Sequence, residues 1–256
     1  MTLRDFMPSI PAALIAVGML VAMCVGSMLA ESTEAQTGET DSAVGAIEGV
    51  VIYESDRQRP WRYRRYYVAD RKLGRLAEAV VSLATEPLNL RPTQAKPGAW
   101  TIDQKDYRFI PETLAIRSDD QIKFTNGDAV LHDVTTRQRV AIASDAFKQD
   151  TFSLEQGREV LQTYRDAGGT ERPVKLSCRL HSGMRGWIYV FDHPFFQVTD
   201  KEGTFRLDNV PVGKHRLVMV HPAGNLHWEQ VLEVKVGETH RIEIRVSPDN
   251  VTAPQE

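Results

Sequence analysis

The stretch PVKLSCRLHSGMRGWIYVF (173–191) consists of two runs typical of β-strands separated by a short loop. PVKLSC and GWIYVF are rich in β-branched and aromatic residues, and Ser and Gly punctuate the loop, which predicts strand, loop and strand. The loop places Cys178, His181 and Met184 at Cys-x2-His-x2-Met spacing. Two adjacent strands therefore present sulfur and imidazole side chains from one short connection.

Similar runs recur on both sides of this stretch. They are AIEGVVIY (46–53), EAVVSLAT (78–85), LAIRSDDQIKFTN (114–126) around an Asp-Asp turn, GTFRLDNV (203–210), GKHRLVMVHP (213–222), QVLEVKVG (230–237) and THRIEIRV (239–246). Many short strands punctuated by Gly, Pro and Asp predict an all-β protein. Only residues 145–168 indicate a helical turn or two.

The composition sets broad limits on size and partners. The 256 residues suffice for one large domain or two small ones. With 31 basic and 34 acidic side chains the formal net charge is −3, which does not favour nucleic acid as a partner. The sequence contains no P-loop, internal repeat or Ser-His-Asp arrangement.

The first 35 residues read as a targeting segment. An apolar run ends in small residues and is followed by a polar stretch, which predicts a secretory signal cleaved after Ala30 or Ala35. The alternatives are an uncleaved membrane anchor, since the run is nearly long enough to span a bilayer, and a lipid-modified Cys24. Each alternative predicts an exported protein, periplasmic or in the cell envelope. After cleavage Cys178 is the one remaining thiol, either a reactive ligand or an inert buried cysteine.

A second histidine completes a set of metal ligands. His132 lies in NGDAVLHDV (126–134), upstream of Cys178, His181 and Met184. Two imidazoles, a thiolate and a thioether are the ligand types of a mononuclear type 1 copper site. Zinc is disfavoured because its structural sites rarely use Met. Taken singly, each of these residues is more often structural, and the hypothesis rests on the four together.

Residues 107–191 resemble the cupredoxin family, in particular its amicyanin- and plastocyanin-like type 1 copper proteins. Asn126, Asp128, His132 and Val134 fit the family pattern N-x-D-x3-H-x-V, and the Cys-x2-His-x2-Met loop matches the short ligand loop of that family. The resemblance implies a Greek-key β-sandwich holding one copper ion with the four ligands named above. It also implies that the loop histidine is nearest the surface and is the route for electrons.

Two features depart from the family. Asp133 follows the first histidine, where the family often has an Asn that ties the ligand loops together; the added charge predicts a lower reduction potential. Leu180, Ser182 and Gly183 replace loop prolines, which predicts a less rigid loop.

The pattern of residues 198–222, VTDKEGTFRLDNVPVGKHRLVMVHP, predicts a hairpin around Lys-Glu-Gly, then a Pro-Val-Gly turn and a further strand. This segment resembles the carboxypeptidase-regulatory, transthyretin-like β-sandwich modules. Because residues 46–85 look like the start of such a module, we expect one transthyretin-like sandwich split around the cupredoxin-like unit. The predicted division is leader (1–35), linker (36–45), first module strands with a basic and aromatic insertion (46–99), copper domain (100–191), transthyretin-like module (192–247) and tail (248–256).

The site and the leader together predict an exported blue copper protein that carries single electrons between redox partners. One mononuclear site lacks the additional coppers needed to reduce oxygen, so we do not expect an enzyme. The alternative is a copper-handling protein, for storage or delivery, or a structural β-sandwich interaction module without redox turnover.

Two further groups of residues have competing interpretations. Residues 57–75, from Arg57 to Arg75, interleave arginines with aromatic side chains. They form either a solvated cover of the sandwich or a docking surface for an acidic redox partner or anionic membrane. His193, His221 and His227 are expected in turns or core, with a weaker second metal site at His221 and His227 as the alternative.

Overall fold

The computed structural model describes residues 43–54, 68, 72–84, 96–139 and 147–250. These ranges form β-strands and two 3-10 turns, Pro222–Gly224 and Pro248–Asn250, which confirms the predicted all-β class. The strands are β1 Val44–Tyr53, β2 Val80–Leu83, β3 Ala99–Lys105, β4 Arg108–Ile110, β5 Thr113–Arg117, β6 Gln121–Asn126, β7 His132–Arg139, β8 Phe147–Leu154, β9 Glu159–Thr163, β10 Val174–Ser177, β11 Arg185–Phe191, β12 Phe196–Val198, β13 Thr204–Pro211, β14 Gly213–His221, β15 Leu226–Val234 and β16 Thr239–Val246.

Several sequence predictions fall outside these ranges. They are the leader (1–35), most of the linker, residues 57–67 and 69–71 of the basic and aromatic stretch, and the last six residues. Within the described ranges, no helix has the length and apolar character needed to cross a bilayer.

The strands form four sheets, which pair into two sandwiches. The sheets β5-β11-β10-β7-β8 and β4-β3-β6-β9 face each other across one core, and we call them the inner sandwich. The sheets β13-β1-β16 and β12-β2-β14-β15 enclose a second core, and we call them the outer sandwich. The chain leaves the outer sandwich after β2 and returns to it with β12. The predicted domain boundaries, and the relation of the outer sandwich to transthyretin-like modules, stay predictions.

Strand alternation explains which residues fill each core. In β6, Ile122 and Phe124 are fully buried between more exposed neighbours, as expected for a strand with one face on a core. In β11, Ile188 and Val190 point into the inner core, whereas Tyr189 and Phe191 belong to a third buried cluster. That cluster also contains Val218 of the outer sandwich. The uninterrupted apolar run of β11 therefore reflects a strand buried on both faces at the junction of the two sandwiches.

The helical turns expected in residues 145–168 are absent from the part of this segment that is described, 147–168. β8 pairs antiparallel with β7, and β9 pairs antiparallel with β6. A turn at Gly157, with φ +71°, separates the two strands. The prediction was wrong because the local sequence pattern does not show that β7 and β6 are available to pair with these residues.

The predicted hairpin around Lys-Glu-Gly is also wrong in its pairing. The turn exists, with the Gly203 amide donating to the Asp200 carbonyl at 3.0 Å. However, β12 before it pairs with β2, and β13 after it pairs with β1, in the opposite sheet. The chain therefore crosses from one sheet of the outer sandwich to the other at this turn. Phe205 and Leu207 of β13 then face the same core from the sheet opposite β12.

Candidate metal centre

Strand pairing brings His132 and Cys178 to the same edge of the inner sandwich. His132 is the first residue of β7, and Cys178 directly follows β10. The two strands are antiparallel neighbours, with Thr135 opposite Ser177. The start of one strand and the end of the other therefore lie side by side, although the two residues are far apart in the sequence.

The loop 178–184 supplies the remaining predicted ligands. It joins two strands that are paired up to their ends, since Ser177 lies opposite Arg185. Inside the loop, the Met184 amide donates to the His181 carbonyl at 3.0 Å, which closes a tight turn. This turn directs the His181 ring back toward the sulfur of Cys178.

The donor atoms of His132, Cys178 and His181 converge on one position. The two Nδ1 atoms are 2.9 Å apart, and Cys178 Sγ lies 3.7 Å from His181 Nδ1. One donor atom from each of the three residues lies within 4.8 Å of the others. Metal–nitrogen and metal–sulfur bonds of about 2.0 to 2.3 Å produce separations of this size between ligands of one ion.

Met184 is buried on the core side of this group. Its side chain is 1 % exposed and belongs to the same hydrophobic cluster as Cys178, which is 4 % exposed. His181 is half-buried and marks the solvent side. The Met184 side chain therefore belongs to the core of the inner sandwich, in the same cluster as Cys178.

Asp128 orients His132. Its Oδ2 lies 2.9 Å from His132 Nε2, so the ring donates from Nε2 and keeps its Nδ1 lone pair for an ion. Burial opposes ionisation of Asp128, but hydrogen bonds from the Tyr107 amide, His132 and the Asp106 amide outweigh it and lower its pKa to about 2. An ionised carboxylate thus faces the imidazole at neutral pH.

Asp133 connects the two segments that carry the ligands. Its amide donates to Cys178 Sγ at 3.3 Å, while its carboxylate accepts from the Ser153 hydroxyl at 2.7 Å and from Arg179 Nε at 2.9 Å. The Ser153 hydrogen bond, opposed by burial and reinforced by Arg179, keeps the pKa of Asp133 below its usual value. The charge noted in the sequence is therefore paired with an arginine of the ligand loop, and Asp133 makes the connection that the resemblance assigns to Asn.

Asn126 holds the turn before His132. Its side-chain amide donates to the carbonyls of Val130 and Leu154 at 2.8 Å each, and its Oδ1 accepts from the Asp128 amide at 2.9 Å. The residue is 1 % exposed. A buried, fully bonded side chain of this kind limits the movement of the loop that carries Asp128 and His132.

Tyr107 was not found by sequence reasoning. Its ring lies edge-on to His132 and to His181, with centroid distances of 5.7 and 5.0 Å. It occupies the turn between β3 and β4, and no local pattern relates that turn to the ligand segments. Ser153 was missed for the same reason.

The other predicted histidines have structural contacts. His193 Nδ1 accepts from the Phe195 amide, and His221 Nδ1 accepts from the Gly224 amide and caps a 3-10 turn. Burial lowers the pKa of His193 and lowers that of His221 to about 3. His227 lies 3.5 Å from an oxygen of Glu229. Among the described residues, the one group of three or more His, Cys, Asp or Glu donors close enough for a metal is His132, Cys178 and His181.

Comparison with known proteins gives distant structural likenesses. No family model matches the chain, and no curated protein matches it. A mutant of amicyanin in its reduced state is 19 % identical over 40 % of this chain and 90 % of that chain, with a TM-score of 0.30. A purple cupredoxin from Nitrosopumilus maritimus is 17 % identical over 35 % of this chain and 97 % of that chain, with a TM-score of 0.28.

A copper-containing nitrite reductase from Thermus scotoductus is 19 % identical over 43 % of this chain, with a TM-score of 0.31. The matched region spans 26 % of the reductase chain. All three likenesses are below 20 % identity, and the chemistry of this chain is inferred from its own donor group.

Proposed function

We propose that this protein holds one type 1 copper ion with His132, Cys178, His181 and Met184 and carries single electrons between redox partners. The observation that carries the proposal is the convergence of two imidazole nitrogens and one thiol sulfur within 4.8 Å. The cysteine is buried and has no disulfide partner among the described residues. Soft sulfur with imidazole is a donor set suited to copper.

Met184 is proposed as the weak fourth ligand. Its burial in the same cluster as Cys178 supports a ligand from the core side, opposite the half-buried His181. Copper bound by this set supplies a one-electron couple, because thiolate and thioether favour Cu(I) and imidazole suits both oxidation states.

The surrounding residues would keep the donors in place during electron transfer. Asp128 fixes the ring of His132, and the Asp133 amide donates to Cys178 Sγ. Hydrogen bonds to a thiolate and to the outer nitrogen of a ligand imidazole tune the affinity and potential of a metal site. Arg179 compensates the charge of Asp133, which moderates the lower potential expected from that carboxylate.

The cellular setting is part of the same proposal. We propose an exported location, periplasmic or in the cell envelope, on the basis of the apolar N-terminal run, and a redox partner that docks on the stretch from Arg57 to Arg75. A single mononuclear site supplies one electron at a time, so we propose a carrier and not an enzyme.

The test removes the sulfur donor from protein that lacks the predicted leader. The parent, Cys178→Ser and the control His227→Gln, which changes a histidine outside the donor group, are each mixed with Cu(II), and visible and EPR spectra are recorded. We expect an intense red-region absorption and narrow copper hyperfine splitting in the parent and the control, and neither in Cys178→Ser. A colourless parent would refute the blue-site proposal, and tight Cu(I) binding by that colourless protein would identify copper handling.

A further inference from the structure

A bulky residue occupies a backbone conformation that usually selects glycine. β3 and β4 are joined by the two-residue turn Asp106-Tyr107, since Lys105 pairs with Arg108. Both turn residues have positive φ, +54° and +59°. Two-residue turns with this backbone prefer Asn-Gly or Asp-Gly, and an aromatic residue in the left-handed region is unusual.

The strained turn is held by the same carboxylate that orients a predicted metal ligand. Asp128 accepts from the amides of Asp106 and Tyr107 at 2.9 and 3.1 Å. Its Oδ2 also bonds His132 Nε2. The position of the Tyr107 ring is thereby tied to the position of the first imidazole.

The Tyr107 ring lies against both imidazoles at once. His132 is fully buried although it begins a strand at the end of the sandwich, and the ring of Tyr107 lies 5.7 Å from it. His181 comes from a loop and is half-buried, and the same ring lies 5.0 Å from it. Tyr107 itself is 53 % exposed, so it stands between the two histidines and solvent.

We propose that Tyr107 is a positioning residue that covers the pair of imidazoles, keeping solvent and small anions from the position between their Nδ1 atoms. Unusual backbone conformations persist where the surrounding structure requires them, and they cluster at functional sites. A glycine would ease this turn, whereas the tyrosine adds a ring that lies against both histidines. The role in metal coordination rests on the proposed copper function; the covering of the histidines does not.

The test removes the ring without straining the turn. Tyr107→Gly suits the left-handed backbone, Tyr107→Asn is a second ring-less variant that tolerates it, and Tyr107→Phe keeps the ring. Leu161→Ala, at an exposed residue of β9, is the control for loss of surface apolar area. We expect the melting temperature of Tyr107→Gly to equal or exceed that of the parent.

The first readout uses metal-free full-length protein. Deuterium exchange at the imidazole C2 position is followed by mass spectrometry at about pH 9, above the range in which histidines ordinarily titrate. In both ring-less variants we expect exchange at His132 about threefold faster or more, with His215 of the outer sandwich unchanged. Tyr107→Phe and Leu161→Ala should match the parent. Unchanged exchange at His132 would overturn the proposal, and so would an equal rise at His215, which would mean that the ring supports the whole fold.

The second readout uses the Cu(II)-loaded proteins. Added azide should change the visible spectrum of the ring-less variants and leave that of the parent and Tyr107→Phe unaltered. Equal azide responses in parent and Tyr107→Gly would count against the exclusion of anions. If the parent takes up no copper, the proposed function is refuted. The deuterium exchange of His132 would still decide whether Tyr107 covers the histidines.

Discussion

Replacing Asp128 by Asn tests whether one carboxylate supports both the turn and the imidazole. In the parent, both carboxylate oxygens accept hydrogen bonds from N–H groups. Asn has only one side-chain oxygen, so its NH2 group would lie against an N–H group that bonds the second carboxylate oxygen in the parent. The residues affected are Asp106, Tyr107 and His132, whose N–H groups lie 2.9 to 3.1 Å from the carboxylate oxygens.

The lowered pKa of Asp128 sets the size of the expected effect. One pKa unit corresponds to about 1.4 kcal/mol, so a decrease from 3.8 to about 2 corresponds to about 2.5 kcal/mol in favour of the folded, ionised form. The Asp128 side chain is 11 % exposed and its partners Asp106 and Tyr107 are exposed, so solvent screening reduces the expected contribution to about 2 kcal/mol. Because the folded pKa lies below the unfolded one, this contribution is present above about pH 4 and is lost as the pH falls toward 2.

The assay is urea unfolding of the metal-free protein, followed by tryptophan fluorescence at several pH values. We expect Asp128→Asn to lower the free energy of unfolding by about 2 kcal/mol at pH 7, and the difference from the parent to shrink below about pH 4. The matched control is Asp119→Asn, a residue with positive φ that pairs with Arg165 at an exposed position. Its free energy of unfolding should change by less than about 1 kcal/mol.

Two results would refute this reasoning. A loss of the same size at pH 7 and at pH 3 would assign the effect to packing of the side chain and not to its charge. A variant as stable as the parent at pH 7 would mean that the three hydrogen bonds contribute nothing net.

Other changes should act through separate contacts. Asn126→Ala should lower the free energy of unfolding by about 2 to 3 kcal/mol in urea titration, since the Leu154 carbonyl in a buried hydrogen bond and the Val130 carbonyl in a part-buried one both lose their donor. A loss below about 1 kcal/mol would contradict the network. Met184→Leu should preserve stability to within about 1.5 kcal/mol but alter the EPR spectrum of the Cu(II) form; an unchanged spectrum would argue against a thioether ligand. Metal-free protein should lose stability from pH 7 toward pH 4, because burial lowers the pKa of His221 to about 3 while the unfolded imidazole takes up a proton near its ordinary value. His221→Gln should flatten this slope, and an equal slope in the variant would place its origin elsewhere.

Residue type and local alternation predicted the all-β class, many of the strands and the candidate ligands, but not the strands in residues 147–163. The alternation of apolar residues in the sequence predicts β6. In the loop 178–184, the Cys, His and Met side chains are recognisable as candidate metal ligands from their chemistry alone. The approach of His132 to Cys178 could be expected only through the family resemblance, because the 46 positions that separate them contain no local signal of pairing.

Which strands share a sheet could not be read from local pattern. β12 and β13 flank a tight turn and still belong to opposite sheets, because the apolar residues of β13 reach the outer core only from the far side. Residues 147–163 form strands because β7 and β6 offer open edges, which outweighs a weak helical pattern.

The sequence by itself determined the all-β class, the candidate donor side chains and the short loop that carries Cys178, His181 and Met184, since these depend on side-chain chemistry and on neighbours a few residues away. The tertiary structure alone decided that Tyr107 covers both imidazoles, that Asp133 pairs with Arg179, and that β11 is buried on both faces. Each of these depends on contacts between segments distant in the chain, whose geometry is set by sheet pairing and core packing together.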